Sequence, residues 1–255
     1  MTERSSLSRV IAADLRNSIV SGELPPEAIL PSERELIEKY KTTKSTASKA
    51  IALLQAEGLV TTQFGRGTFV RRRPPLRRIS AARRHAVHRS AGKPIFDVAA
   101  IGQGQIPSRE ILQVGRVGAP AEAARWLRLS PGDEVVIRKR LQLLDGEPAV
   151  VSTSYYPVWI AADTRLESPD ALPEGPDELI ERLGHRFSHG IEVFRAQMPT
   201  PEESKLLKLH PGVPIVRLWD VDYDSDDRPL QAAEDVYAGD QHEFAYTWTE
   251  EDIQP

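Results

Sequence analysis

Residues 57–78 read EGLVTTQFGRGTFVRRRPPLRR, and their character changes three times. Gly58 is placed to end a helix. Val60 to Gln63 then favours a short strand, Phe64-Gly65-Arg66-Gly67 a tight turn and Thr68 to Val70 a second strand, before arginines crowd around Pro74-Pro75. Glycine reaches positive φ without a Cβ clash and lets the backbone approach another molecule closely, so the turn predicts a hairpin whose tip presents the Arg66 cation. A positive hairpin tip beside a positive, stiff connector suits a polyanionic partner.

Upstream, Leu7, Val10, Ile11, Leu15 and Ile19 fall on one stripe of an amphipathic helix that Gly22 stops. Ser32 with Glu35 three positions on has the form of a capping box, in which each side chain satisfies a free backbone N–H of the other residue. It predicts a second helix burying Leu36, Ile37 and Tyr40. The stretch KTTKSTASKAIALLQAEG at 41–58 predicts a third, capped by Thr42 or Thr43, with Ala47, Ala50, Ile51 and Leu54 inward. Lys44, Ser45, Ser48 and Lys49 then point outward, and Thr46 lies near the edge. Such a small, polar, cationic face suits a major groove about 12 Å wide, where Lys and Ser/Thr reach base edges and phosphates. Three helices followed by a two-stranded ribbon make a winged helix-turn-helix, and the hairpin is the wing.

Charge is unevenly spread. Residues 1–90 hold 17 Lys and Arg against 8 Asp and Glu, a balance of +9, while the rest of the chain holds 16 against 29, a balance of −13. A basic module joined to an acidic body predicts different partners for the two, with phosphates for the first. The 255 residues allow two domains. The expected division is a winged helix-turn-helix domain at 1–70, an Arg- and Pro-rich linker at 71–92, and an α+β domain at 93–255. The linker is expected to be stiff at Pro74-Pro75 and flexible near Gly92, its arginines serving either as extra DNA attraction or as a soluble spacer. His85 and His88 are spaced like a metal pair but lack further ligands nearby, so neither a metal site nor a cofactor is expected. The absence of Cys excludes disulfides and thiolate sites, and no apolar run approaches the roughly 18 residues of a membrane span. A cytoplasmic protein with no membrane partner is expected.

In the second half, EILQVGRVGAP (110–120) reads as a strand running into a turn and APAEAARWLRL (119–129) as a helix. DEVVIRKRLQLLDGEPAVVSTSYYP (133–157) reads as a hairpin turning at Asp145-Gly146. A helix at 176–184, a strand at 190–199, a helix at 201–209, another strand pair and a last strand follow. The segments 121–151 and 202–233 share one plan, helix, Leu and Pro-Gly, strand, turn, strand, which predicts an internal duplication, a mostly antiparallel sheet and a pocket between its halves.

LPSEREL (30–36), TTKSTASKAIALLQAEGLV (42–60) and FGRGTFV (64–70) together resemble the DNA-binding domain of GntR-type bacterial transcription regulators. The resemblance implies DNA contacts from Arg34, Thr43, Lys44, Ser45, Thr46, Gly65 and Arg66. Where the family usually has a second Arg in the recognition helix this chain has Ser48, with Lys49 beside it to compensate. DGEPAVVSTSYYP (145–157) and VYAGDQHEF (236–244) resemble the UTRA effector-sensing domain of the HutC branch, whose fold is related to chorismate lyase. That likeness implies a pocket for a small, usually anionic effector, gripped by Arg138 and Arg140 on one face of a strand and lined by Tyr237. Three departures speak against an amino-sugar phosphate: Gly175-Pro176-Asp177 replaces hydroxyl donors, Gln231 replaces an acidic residue, and Phe96-Asp97 stands where a Ser is usual. The function implied is a ligand-responsive regulator, a repressor, binding a pseudo-palindromic double-stranded operator as a homodimer. An effector-independent plasmid- or nucleoid-maintenance protein is the alternative. An enzyme is not expected: there is no Cys, no suggestive Ser-His-Asp order and no phosphate-cradling glycine loop, and His185 and His189 flank a polar loop.

Overall fold

The computed structural model describes residues 6–72, 77–80, 94–170 and 172–246. The expectations for Pro74-Pro75, His85, His88 and Gly92 lie outside the described residues. The chain divides into two units, Met1–Pro75 with Leu209–Val213, and Leu76–Lys208 with Pro214–Pro255.

The first unit contains α1 (Leu7–Val20), α2 (Glu33–Tyr40), α3 (Lys44–Ala56), β1 (Val60–Gln63) and β2 (Gly67–Val70). The capping box that opens α2 is fully formed. The Ser32 hydroxyl accepts from the Glu35 amide at 3.3 Å, and the Ser32 amide donates to the Glu35 carboxylate at 2.7 Å. Thr43, not Thr42, caps α3 by accepting from the Thr46 amide. Ile11, Leu15, Leu36, Ala47, Ala50, Ile51, Leu54, Val60 and Val70 close one core. The face of α1 differs from the one expected. Leu7 and Val10 are exposed, and Ser8, Ile11, Ala12 and Leu15 face inward at the i, i+3, i+4, i+7 spacing of a helix stripe. Apolar spacing pointed to the larger side chains. The small Ser8 and Ala12 fill the inward stripe instead.

The second unit runs β3 (Arg77–Ser80), α4 (Ile95–Gly102), β4 (Pro107–Gly118), α5 (Ala121–Leu127), β5 (Glu134–Leu144), β6 (Glu147–Pro157), α6 (Val158–Ala161), α7 (Pro176–Arg182), β7 (His189–Gln197), α8 (Pro201–Leu206), β8 (Ile215–Tyr223), β9 (Pro229–Ala238) and β10 (His242–Ala245). Six strands form an antiparallel sheet in the order β4-β5-β6-β9-β8-β7. Two strand–helix–hairpin units, β4-α5-β5-β6 and β7-α8-β8-β9, thus meet at the β6–β9 ladder. Left-handed backbone recurs at matching points of the two: Arg128 and Lys208 after the helices, Gly132 and Gly212 in the Pro-Gly turns, Asp145 and Asp227 in the hairpin turns. The stretch expected as a linker at 71–92 is not all connector. Arg77–Ser80 forms β3 and pairs in parallel with β10, a partner too distant in sequence for local pattern to reveal.

Helix α5 packs on one face of the sheet over Val135, Ile137, Tyr155 and Val221. The other face carries two clusters, one of Val136, Tyr156, Ile160, Leu179 and Ile180, the other of Ala100, Leu144, Val150, Leu218 and Tyr237. A polar stretch lies between them.

Replacing Ser32 with Ala removes the cap of α2 and is expected to cost about 1 kcal/mol of stability in the first unit. Hydrogen exchange checks it: the Glu35 amide should lose protection while amides of β5 and β6 keep theirs.

Candidate DNA-binding face and effector pocket

On α3 the side chains of Lys44, Ser45, Ser48 and Lys49 are exposed and Thr46 is half-buried. Thr43 and Thr46 are engaged with each other, their hydroxyls 3.1 Å apart. The Ser48 hydroxyl donates to Glu33 Oε1 at 2.6 Å, which ties the recognition helix to the start of α2. Arg34 is almost wholly exposed, and its 3.4 Å pair with Glu38 is a surface contact that holds it weakly. Lys49 lies on the α1 side, lining a shallow groove with Ser6, Ser8 and Arg9. In the wing, Gln63 pairs with Gly67 and Phe64-Gly65-Arg66 form the turn, closed by Arg66 N–H donating to the Gln63 carbonyl at 3.0 Å. Gly65 has φ 71° and open space where a Cβ would stand. Gln55 Nε2 donates to Thr62 Oγ1 at 2.7 Å, so the end of α3 and the base of the wing are joined.

In the second unit the sheet register lays out a pocket floor. Arg140 faces Ser152, which faces Asp235, which faces Leu218; one row along, Ser154 faces Ala233, which faces Asp220. Paired residues share a face of a sheet, so these side chains point the same way. All but Leu218 line a cavity of about 160 Å³, roofed by α4 and α7 through Phe96, Ala100, Pro176 and Asp177. A cavity of about this size holds a benzene-sized guest. The Arg140 guanidinium donates to Ser154 Oγ at 2.8 Å and to Ser152 Oγ at 3.3 Å, while its Nε is buried without a partner. It makes no ion pair among the described residues. Tyr156 is fully buried, which raises the pKa of its phenol and keeps the hydroxyl protonated.

Residues 7–70 match the family described as bacterial regulatory proteins, gntR family, and residues 102–243 match the UTRA domain. An uncharacterized HTH-type transcriptional regulator of Streptomyces coelicolor is 30% identical over 96% of this chain and 94% of that protein. The chain belongs to the GntR family of bacterial regulators with a UTRA domain. The HTH-type transcriptional repressor NagR of Bacillus subtilis is 24% identical over 92% of each chain. A crystal structure of a GntR-family transcriptional regulator shares 28% identity and a TM-score of 0.72, covering 97% of this chain and 98% of the other. PhnF from Mycobacterium smegmatis, at 23% identity and a TM-score of 0.57, shares the fold. The family and the curated relatives are transcriptional regulators rather than enzymes, and this chain is a ligand-responsive, DNA-binding regulator.

In this GntR regulator the two arginines expected to act together have parted. Arg140 lines the pocket, whereas Arg138 is 1% exposed and outside it. Arg138 donates to the carbonyls of Leu166 at 3.0 Å, Ser168 at 2.5 Å and Asp170 at 3.0 Å. Period two does put both on one face. But β5 runs under the 166–170 loop before it reaches the pocket, and that loop takes up the Arg138 guanidinium. Burial lowers the Arg138 pKa, and the neighbouring Arg140 and Arg165 add to this. Gln231 and Tyr237 both line the pocket. Gln231 Nε2 donates to Asp177 Oδ1 at 3.1 Å and to Asp222 Oδ2 at 2.7 Å, so two of the departures from the family pattern are bonded to each other. The Tyr237 hydroxyl donates to Asp235 at 3.0 Å. Of the third departure, Phe96 lines the pocket and Asp97 pairs with Arg109. Sequence reasoning missed Ser152, Ser154 and Tyr156. The signal was present: β6 carries a hydroxyl at every position from Ser152 to Tyr156, in a strand buried on both faces.

Replacing Arg138 with Met strands three loop carbonyls, and a loss on the order of 3 kcal/mol is expected. Thermal unfolding should show Arg138→Met lowering the melting temperature of the second unit clearly more than Arg140→Met.

Proposed function

We propose that this regulator is a cytoplasmic homodimeric repressor that binds a pseudo-palindromic operator and is released by a small anionic effector seated on Arg140. The observation that carries the effector class is the Arg140 guanidinium, at a pocket floor, bonded to hydroxyls and to no carboxylate among the described residues. Charge-assisted bonds to a carboxylate or phosphate are the strong ones such a group can make, and serine hydroxyls hold it in place for them. Two-fold symmetry of a dimer makes a palindromic target the natural one. The chain acts in this reading as a sensor and not as a catalyst.

On the DNA side the proposal assigns Lys44, Ser45 and Arg66 direct contact, with Arg34, Thr46 and Gly65 supporting. Thr43 shapes the helix start and Ser48 is braced by Glu33. Lys49, on the α1 flank, is assigned a phosphate contact at most. The effector can act only through a preference for one arrangement of the DNA-binding units, in usual allosteric coupling about 1–3 kcal/mol.

Gel-shift titration on a duplex selected by the full-length protein tests the first half. Lys44→Ala and Arg66→Ala are each expected to weaken binding about tenfold, and each to lower the slope against salt by about one counterion; parent-like behaviour of both removes the assignment. Thermal-shift screening of small carboxylates and phosphates tests the second. A stabilising ligand should raise the melting temperature with concentration in the parent and fail to do so in Arg140→Met. With Asp177 on the pocket wall, an amino-sugar phosphate is expected not to bind tightly in calorimetry.

A further inference from the structure

The wing carries one residue that the assignment above leaves unused. Phe64 is 105% exposed, the highest value among the described large hydrophobic residues. It occupies the first position of the three-residue turn, two residues before Arg66. It contributes nothing to the core of its unit, where the ribbon is anchored by Val60 and Val70. Its surroundings along the ribbon, Gln63, Thr62 and Thr68, are polar. The ring stands at the end of a glycine-flanked hairpin, where it meets whatever the tip of the wing touches.

From this placement we infer that Phe64 is an apolar wedge entering the DNA minor groove beside Arg66, where it packs on sugar and partly unstacks a base step. The inference rests on the DNA-binding reading. Duplex DNA is the occupant because the ring is continuous with a cationic face: Arg66 shares its turn, and Lys44 and Ser45 open the helix that Gln55 joins to the wing. Arginine is drawn to the strong negative potential of a narrow minor groove, and Phe side chains are among the wedges that open base steps there. Gly65, with open space around its Cβ position, lets the backbone between the two side chains follow the groove wall. Specificity follows without a base-edge hydrogen bond. The flanking step that Phe64 opens should be a deformable pyrimidine–purine step such as TA or CA, since these unstack most easily.

The test uses the full-length protein and the selected duplex, with 2-aminopurine placed at successive flanking steps. For the parent, binding should raise 2-aminopurine fluorescence at one step on each side and bend the duplex in a circular-permutation gel. Phe64→Ala should lose both signals and weaken binding about tenfold, the scale of one base–aromatic stack. Its salt slope should stay at the parent value, because no charge is removed, whereas Arg66→Ala lowers the slope. Phe64→Trp should retain the fluorescence signal. Equal affinity and equal bending in the parent and Phe64→Ala would overturn the inference while leaving the DNA-binding reading intact, provided Arg66→Ala is weakened. A Phe64→Ala chain that changes oligomeric state in sedimentation, with unchanged fluorescence on DNA, would overturn it in favour of a protein partner. If the parent and every variant bound duplexes equally weakly, the DNA-binding reading itself would fail, and this inference with it. Unchanged circular dichroism and first-unit melting in Phe64→Ala are expected, as the ring touches no core.

Discussion

The antiparallel register across β5, β6, β9 and β8 is the constraint on which the sensing unit depends. It sets Arg140 opposite Ser152, Ser152 opposite Asp235 and Ser154 opposite Ala233. Side chains alternate between the faces of a strand, so a slip of one residue would carry the whole polar set to the face packed under α5. Register is held where one face is apolar, and here apolar clusters stand on both flanks of the polar stretch. The cost of placing a guanidinium there is offset locally, by hydroxyl partners on the adjacent strand.

The same sheet shows how one residue type can serve two ends. Arg138 and Arg140 are two residues apart on one strand and one face, yet the first is consumed by loop carbonyls and the second meets a cavity. What separates them is the 166–170 loop, which ends one apolar cluster and covers the strand at Arg138. A buried guanidinium bonded to three carbonyls fixes that loop, while the half-buried Arg140 lines the pocket. The bonded pair of Gln231 and Asp177 does similar work between β9 and α7.

In the DNA-binding unit the core and the proposed DNA-contacting face use separate residues. Ala47, Ala50, Ile51 and Leu54 hold α3 in place, while Lys44, Ser45 and the turn at Phe64 to Arg66 add nothing to packing. The unit folds around small side chains on α1 and α3, and its outward residues remain open to selection for a target.

Much of this was readable from the residues alone. The capping box at Ser32, the helix spacing of α3, the glycine-flanked turn and the Asp145-Gly146 hairpin are local signals, carried by residues within a few positions of each other, and the structure follows them. The duplicated plan was legible for the same reason, since each half is a contiguous segment. Tertiary structure decided what depends on distant partners. The inward face of α1 went to Ser8 and Ala12 rather than Leu7 and Val10. Arg77–Ser80 became a strand only because His242–Ala245 lies beside it, and Arg138 was claimed by a loop some thirty residues away. Sequence determined those elements whose signals are local, because these are set by backbone preference and periodicity. Which partner satisfies a given polar group was settled only by the fold, because hydrogen bonds are made in space and not along the chain.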